Sequence, residues 1–167
     1  MRQYRWFIGI ATIGILLDQL TKELVLASMS LHQSIELLEN FVHITYVRNP
    51  GAAFGILADN SLRIPFFILV SVIASLGILW YLRREQGGTL RLQIGLSLIF
   101  SGAVGNLIDR IRYGEVIDFI DVHWYHSHWP AFNVADSAIC VGVGLLLIDS
   151  WLEEKSKSTL RDKAKTR

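Results

Sequence analysis

Two aspartates, Asp118 and Asp136, precede the last membrane-length apolar run of this chain, within the segments 114–119 and 132–137. A carboxylate at the edge of hydrocarbon is unfavourable unless it has a function or a partner. Two carboxylates that lie close together can share one proton, which is the chemistry of aspartic proteolysis. The residues alone leave a second interpretation open, in which Asp136 begins a helix that Asn133 caps.

The composition indicates a membrane protein. Of the 167 residues, 51% are hydrophobic, and the formal net charge is only +1. This charge gives no general electrostatic reason to bind nucleic acid. Cys140 is the single cysteine, so neither an internal disulfide nor a cysteine metal cluster is possible.

Four apolar runs predict four membrane spans, at about 6–27, 62–82, 92–109 and 136–151, in one domain covering 1–167. A helix needs about 20 residues to cross a bilayer, and the last two runs reach that length only with their polar flanks. The first run has no signal-peptide cleavage site and is predicted to be a retained span. The remaining segments are outer loops at 28–61 and 110–135 and a tail at 152–167, predicted to be a frayed helix or disordered.

The distribution of basic residues predicts the orientation. Arginines and lysines precede the first span, fill the link between the second and third, and follow the fourth, whereas the other two loops are net acidic. Both termini are therefore expected in the cytoplasm. In the first outer loop, the β-branched and aromatic residues at 41–47 predict a strand, and 31–38 is expected to form a short surface helix.

With this topology, the polar residues that are unfavourable in a membrane lie at one level, near the outer interface. Asp18 and Lys22 are four residues apart and can form an ion pair on one helix face. Gly102 lies one turn before Asn106, where a small residue allows another backbone or a ligand to approach. The residues at this level are Asp18, Lys22, Asn49, Asn106, Arg110, Asp118, Asn133 and Asp136.

Three histidines, His123, His126 and His128, lie close in sequence to Asp118 and Asp121. Such a group can in principle bind a metal ion. The spacing matches no strong zinc pattern, so we expect a hydrated interfacial loop, with no metal and no cofactor.

Five segments in order around the four spans carry a family resemblance. They are LDQLTK at 17–22, RNPGAAF at 48–54, GAVGNLIDR at 102–110, VIDF at 116–119 and FNVADS at 132–137. With these segments the chain resembles the bacterial lipoprotein signal peptidases (signal peptidase II) over nearly its whole length.

The resemblance implies an all-α membrane fold of four transmembrane helices with a small extracytoplasmic β-cradle. It implies an aspartic endopeptidase that cleaves prolipoproteins before a diacylglyceryl-modified cysteine, in the bacterial cytoplasmic (inner) membrane and near its outer face. It also implies contact with membrane lipid and inhibition by the peptide antibiotic globomycin. Asp118 and Asp136 become the catalytic dyad. The motif positions expected to support the site or bind substrate are Asp18, Lys22, Asn49, Gly102, Asn106, Arg110, Asn133 and Ala135.

The residues are also compatible with two other functions. A small proton-coupled carrier would use Asp18, Lys22 and Asp109 as a relay. The clustering of polar residues at one face argues against it. A non-catalytic membrane subunit would instead recognise partners through the predicted outer strand.

Overall fold

The computed structural model describes residues 4–51, 62–86, 89–125 and 127–165. Within these ranges the chain forms four helices and four strands. They are α1 (Arg5–Ser28), β1 (Ser34–Leu38), β2 (Val42–Asn49), α2 (Arg63–Arg84), α3 (Leu90–Tyr113), β3 (Val116–Trp124), β4 (Ser127–His128) and α4 (Val134–Lys165).

Three helices in the described part of the chain are long and apolar enough to cross a membrane: α2, α3 and the Val134–Ser158 part of α4. Helix α1 differs because its C-terminal half carries Asp18, Lys22 and Glu23. Asp18 and Lys22 are buried, whereas large apolar side chains such as Leu20 are exposed. A helix with an apolar exterior and charges turned toward the protein is suited to a lipid environment.

Helix α3 is central and packs against each of the other three helices. It begins after Thr89, whose hydroxyl accepts a hydrogen bond from the Leu92 N–H at 3.1 Å, as expected of an N-cap. It ends at Gly114, whose φ of 73° is the left-handed conformation that glycine adopts readily at helix ends. Gly114 turns the chain directly into β3, the strand that carries Asp118.

The strands form an antiparallel sheet in the order β1-β2-β3-β4. The strand predicted at 41–47 is confirmed as part of β2, and its Val47 lies opposite Asp118 of β3. The sheet packs onto the C-terminal end of α1 through one apolar cluster. The buried members of that cluster are Val25, Met29, Tyr46, Ile117 and Phe119. This contact fixes β3, and with it Asp118, relative to the helices.

The helix predicted at 31–38 is wrong, because β1 (Ser34–Leu38) occupies most of that segment. Its residues pair with β2, for example Ile35 with Ile44, and Asn40 at the turn has a φ of 58°. A helix of eight residues is marginal by itself, whereas pairing with a long neighbouring strand satisfies the backbone of β1.

Helix α4 continues to Lys165, through most of the tail predicted to be frayed or disordered. Ala52, Ala53 and Phe54, which belong to a motif of the family resemblance, lie outside the described residues. The histidine at 126 also lies outside them.

Candidate active site

Asp118 is held in β3 by two asparagine side chains. Asn49 Nδ2, at the end of β2, donates to Asp118 Oδ2 at 2.9 Å, and Asn133 Nδ2 donates to Asp118 Oδ1 at 2.7 Å. The carboxyl group is almost fully buried, at 2% exposure. Each oxygen thus has a fixed donor, which leaves the carboxyl group little rotational freedom.

Asp136 lies in the first turn of α4 and forms a reciprocal cap with Asn133. The Asp136 N–H donates to Asn133 Oδ1 at 2.9 Å, and the Asn133 N–H donates to Asp136 Oδ2 at 3.2 Å. This is the geometry of a capping box, with aspartate in place of the usual glutamate. The interpretation of Asp136 as a helix-start residue is therefore correct, and it does not exclude a chemical role.

Asn133 also joins the two aspartates, because the same side chain bonds to Asp118 and to the backbone of Asp136. Asn106 of α3 completes the connection. Its Nδ2 donates to Asp136 Oδ1 at 2.8 Å, and its Oδ1 accepts from Lys22 Nζ at 3.0 Å. The structure thus brings Asp118 and Asp136 into one hydrogen-bonded site built from α3, β3 and α4.

The environment of Asp118 raises its pKa from an ordinary value of 3.8 to about 7. Burial is the main cause, since it disfavours the charged form, and the negative charge of Asp136 is the second. The donors on Asn49 and Asn133 oppose the increase because they stabilise the carboxylate. A carboxylic acid with this pKa can retain a proton near neutral pH and donate it.

Small residues let the helices approach at the site. A Cβ on Gly102 would overlap the carbonyl oxygen of Ala135, and a Cβ on Gly105 would overlap the Asp18 carboxylate. The Ala135 N–H donates to Asp18 Oδ1 at 2.9 Å. The support residues Asp18, Lys22, Gly102 and Ala135 thus lie at the junction of α1, α3 and α4, behind Asp136.

A largely apolar cleft of about 770 Å³ opens beside Asp136. Arg110 lines it, with its guanidinium stacked 4.8 Å from the centre of the Phe67 ring. Asn49 and Asn106 line its polar end. One wall comes from α2 (Phe67, Val70, Ser71, Ala74) and another from α4 (Asp136, Ser137, Ile139, Cys140, Val141). The cleft suits a long apolar ligand with one polar segment against Asp136.

The histidines lie elsewhere on the sheet. His123 stacks on His128, with ring centres 4.6 Å apart, and packs edge-on against His43. His128 Nδ1 lies 2.9 Å from Asp121 Oδ1. Among the residues that the structure describes, no group of three histidine, cysteine or acidic side chains is arranged to bind a metal ion.

Asp109 is a residue whose role sequence reasoning missed. The sequence suggests a member of a proton relay, but the side chain is buried, at 1% exposure, and contacts Lys22, Gln19 and the Ile117 N–H. A signal was present, since Asp109 lies three residues after Asn106 on one helix face.

Comparison with known proteins gives the family. The sequence profile described as signal peptidase (SPase) II matches residues 10–152 of this chain. The chain belongs to the signal peptidase II family.

Relatives in this family match nearly end to end. A lipoprotein signal peptidase from Geobacter sulfurreducens is 55% identical over 156 residues, covering 93% of this chain and 97% of the relative. One from Syntrophotalea carbinolica is 50% identical over 151 residues, covering 90% and 94%. Each of these matches therefore covers at least 90% of both chains.

Two solved structures, both described as bacterial membrane enzymes, share the fold. One, at 2.3 Å resolution, has a TM-score of 0.81 and 37% identity, with 90% of each chain covered. The other, at 1.9 Å, has a TM-score of 0.77 and 34% identity, covering 86% of this chain and 90% of the other. This member of the signal peptidase II family is thus a membrane protein of a peptidase family.

Proposed function

We propose that this chain removes signal peptides from diacylglyceryl-modified prolipoproteins, as an aspartic endopeptidase that cleaves before the lipidated cysteine. The observation that carries the proposal is the joint bonding of Asp118 and Asp136 to Asn133, beside an apolar cleft that Asp136, Asn49 and Asn106 line. Family membership and the names of the relatives support the substrate class. They do not favour a carrier or a non-catalytic subunit.

The environments of the two carboxyl groups indicate which one donates a proton and which one accepts it. Asp118 has a pKa of about 7 and keeps the shared proton at rest. Asp136 accepts hydrogen bonds from Asn106 Nδ2 and the Asn133 N–H, and it lies at a helix N-terminus, where negative charge is favoured. Asp136 is therefore the ionised partner and the general base.

The reaction then proceeds without a covalent intermediate on the enzyme. Asp136 takes a proton from water, the resulting hydroxide attacks the scissile carbonyl carbon, and Asp118 donates its proton to the carbonyl oxygen. In the second step Asp136 gives its proton to the amide nitrogen and the C–N bond breaks. Asp118 recovers a proton from the gem-diol, which becomes the new carboxyl group. Arg110, Asn49 and Asn106 line the cleft at this point and orient the substrate backbone.

The membrane arrangement follows from the exposed apolar faces. We propose four spans, with α1 as the first, since its lipid-compatible face carries Ile13, Leu16 and Leu24, all more than half exposed. The basic ends support a cytoplasmic location for both termini. The sheet and the aspartates then lie near the outer face of the cytoplasmic (inner) membrane, where both the signal helix and the diacylglyceryl chains are in the lipid. The acyl chains and globomycin are expected to bind in the apolar cleft.

A cleavage assay with the purified protein tests the proposal. Wild type is expected to cleave a diacylglyceryl precursor and to be inhibited by globomycin, whereas Asp118→Asn and Asp136→Asn lose at least about 100-fold in kcat because each removes one acid–base group. An unmodified precursor should not be cleaved. Near-normal turnover by either correctly folded asparagine variant would contradict the mechanism, and lack of cleavage by wild type would contradict the substrate.

A further inference from the structure

Three charged side chains, Asp18, Lys22 and Asp109, form a buried cluster next to the two aspartates of the site. Lys22 Nζ lies 2.9 Å from Asp18 Oδ2 and 2.8 Å from Asp109 Oδ2. Each of the three residues is at most 2% exposed. A buried cluster of this kind is unfavourable unless hydrogen bonds satisfy its remaining acceptors. The other hydrogen-bond partners of Asp18 and Asp109 therefore show which parts of the site the cluster keeps in position.

Asp109 holds the residue that precedes Asp118. Its Oδ2 accepts a hydrogen bond from the Ile117 N–H at 3.1 Å, and Ile117 is completely buried. The Ile117 carbonyl accepts from Asn133 Nδ2 at 3.2 Å. The backbone of Ile117 is thus fixed on one side to α3 and on the other to the cap of α4, which sets the position of Asp118.

Asp18 does the same for the residue that precedes Asp136. Its Oδ1 accepts from the Ala135 N–H at 2.9 Å. The side chain of the cap residue Asn133 is already used by the Asp136 N–H, so Asp18 supplies an acceptor for this helix-terminal donor. Asp109 therefore anchors the backbone next to Asp118, and Asp18 anchors the backbone next to Asp136.

Lys22 links the carboxylates of Asp18 and Asp109 and also orients the side chain of Asn106. It bonds to both carboxylates, and it donates to Asn106 Oδ1 at 3.0 Å. Because lysine can only donate, the Asn106 amide must present its oxygen to Lys22 and its NH₂ group to Asp136. The cluster thereby selects the amide orientation that stabilises an ionised Asp136.

We propose that Asp109, acting together with Lys22 and Asp18, is a positioning residue that fixes the spacing of the Asp118 and Asp136 carboxyl groups. This inference rests on the proposed function, since it assumes that these two groups carry the reaction. It assigns Asp109 no contact with substrate. Its effect should appear in kcat and not in KM, because the cleft is lined by other residues.

Three variants on one helix test the inference. Asp109→Ala removes the acceptor of the Ile117 N–H, and Asp109→Asn keeps one oxygen but leaves Lys22 with a single carboxylate. Arg112→Gln is the matched control, because Arg112 lies on the same helix in a half-exposed pair with Glu23. We expect kcat to fall about 30-fold or more in Asp109→Ala and about three- to tenfold in Asp109→Asn, with KM within about twofold. The control should keep wild-type values.

Two further measurements distinguish a positioning role of Asp109 from a general effect on stability. If the carboxyl groups move apart, Asp136 raises the pKa of Asp118 less, so the basic limb of the pH–rate profile moves to lower pH. Hydrogen exchange should increase in the segment around Ile117 in both Asp109 variants and remain unchanged around Ala135, which Asp18 still holds. If Asp109→Ala fails to fold, Asp109→Asn decides the test by the same measurements.

The inference is overturned if a folded Asp109 variant has a kcat within twofold of wild type, or if the whole loss is in KM. It is also overturned if the pH profile is unchanged. Failure of the proposed function would look different. In that case wild type does not cleave the lipidated precursor, or Asp118→Asn does, while the exchange at Ile117 still reports on the anchor.

Discussion

At the scale of single residues, the carboxyl group proposed as the catalytic acid, Asp118, also lowers the stability of the fold when it is ionised. An aspartate ordinarily has a pKa of 3.8, yet burial and the charge of Asp136 raise the pKa of Asp118 to about 7. Its proton is therefore available near neutral pH, and its ionised form is unfavourable in the folded protein. Two predictions follow, one for the rate and one for stability.

The rate should fall as the pH rises through about 7. The competent form has Asp118 protonated and Asp136 ionised, so kcat/KM decreases about tenfold per pH unit on the basic side. Asn49→Ala removes a donor that lowers the pKa of Asp118, and its basic limb should therefore move to higher pH. Steady-state cleavage from pH 5 to 9 measures both profiles. A wild-type rate that stays constant up to pH 9 would be incompatible with Asp118 as the acid.

Asp118→Asn should be inactive and yet more stable than wild type at high pH. The pKa of Asp118 is higher in the folded state than its ordinary 3.8, so the folded protein binds more protons between about pH 4 and 7 and loses stability as the pH rises through this range. The difference corresponds to at most about 4 kcal/mol. Asparagine does not ionise, so its advantage in Tm should be large at pH 8 and small at pH 4. Thermal unfolding in detergent measures this, and an equal Tm difference at both pH values would contradict it.

Sequence reasoning could place Asp118 and Asp136 at the same predicted membrane level, and the family resemblance then paired them as a dyad. It could not identify Asp109 as an anchor. That role depends on a hydrogen bond from the Ile117 N–H, eight residues later, and on contacts with Lys22 and Gln19 of α1. The spacing from Asn106 indicates a shared helix face, but the contacts themselves arise from tertiary packing and cannot be located from the sequence.

At the scale of elements, the close approach of α3 and α4 decides the position of Asp136. Gly102 of α3 lies directly against the first turn of α4, where a Cβ would overlap the Ala135 carbonyl. The Ile139 side chain also lies there, but the nearest atom is a backbone oxygen, which cannot move aside as a flexible side-chain end can. The glycine is therefore a geometric requirement of the site.

Gly102→Ala should displace the first turn of α4 and lower kcat about 100-fold, since a misplacement of about 1 Å at a catalytic group can have that effect. The matched control is Gly144→Ala on α4, where an added Cβ meets nothing within 4 Å. This change should keep full activity, with stability unchanged or higher by up to about 1 kcal/mol, because alanine favours helix. Cleavage rates and Tm of both variants are the measurement. Equal activity in the two would show that the helix contact does not position Asp136.

The elements differ in how far the sequence predicts them. The apolar runs indicate the helices because length and composition are local properties, and the β-branched residues at 41–47 indicate β2. Strand β3 was not predicted, although it is the longest strand and carries Asp118, and β1 was predicted as a helix. Both depend on pairing with β2, a neighbour that is distant in sequence from β3, and local propensity does not report such pairing.

At the scale of the whole molecule, the cleft lies between α2 and α4, which each pack against α3. Apart from Asp136 and Ser137, neither wall belongs to a sequence motif, because a lipid-facing wall and a cleft-facing wall are equally apolar. Cys140 provides a test of this space. It is the single thiol of the chain, it is exposed, and it lines the cleft one helical turn beyond Asp136.

A bulky maleimide attached to Cys140 should block cleavage by filling the cleft, while leaving the aspartates untouched. We expect at least about a tenfold loss of turnover once labelling is complete, since substrate must occupy the same space. Cys140→Ser should keep its activity and be insensitive to the reagent. Globomycin should slow the labelling of wild type if it binds between α2 and α4. Intact-protein mass spectrometry follows the modification and a cleavage assay follows the activity. Full turnover by the fully labelled protein would place the substrate outside this cleft, and a wild-type rate of labelling in saturating globomycin would place the antibiotic outside it.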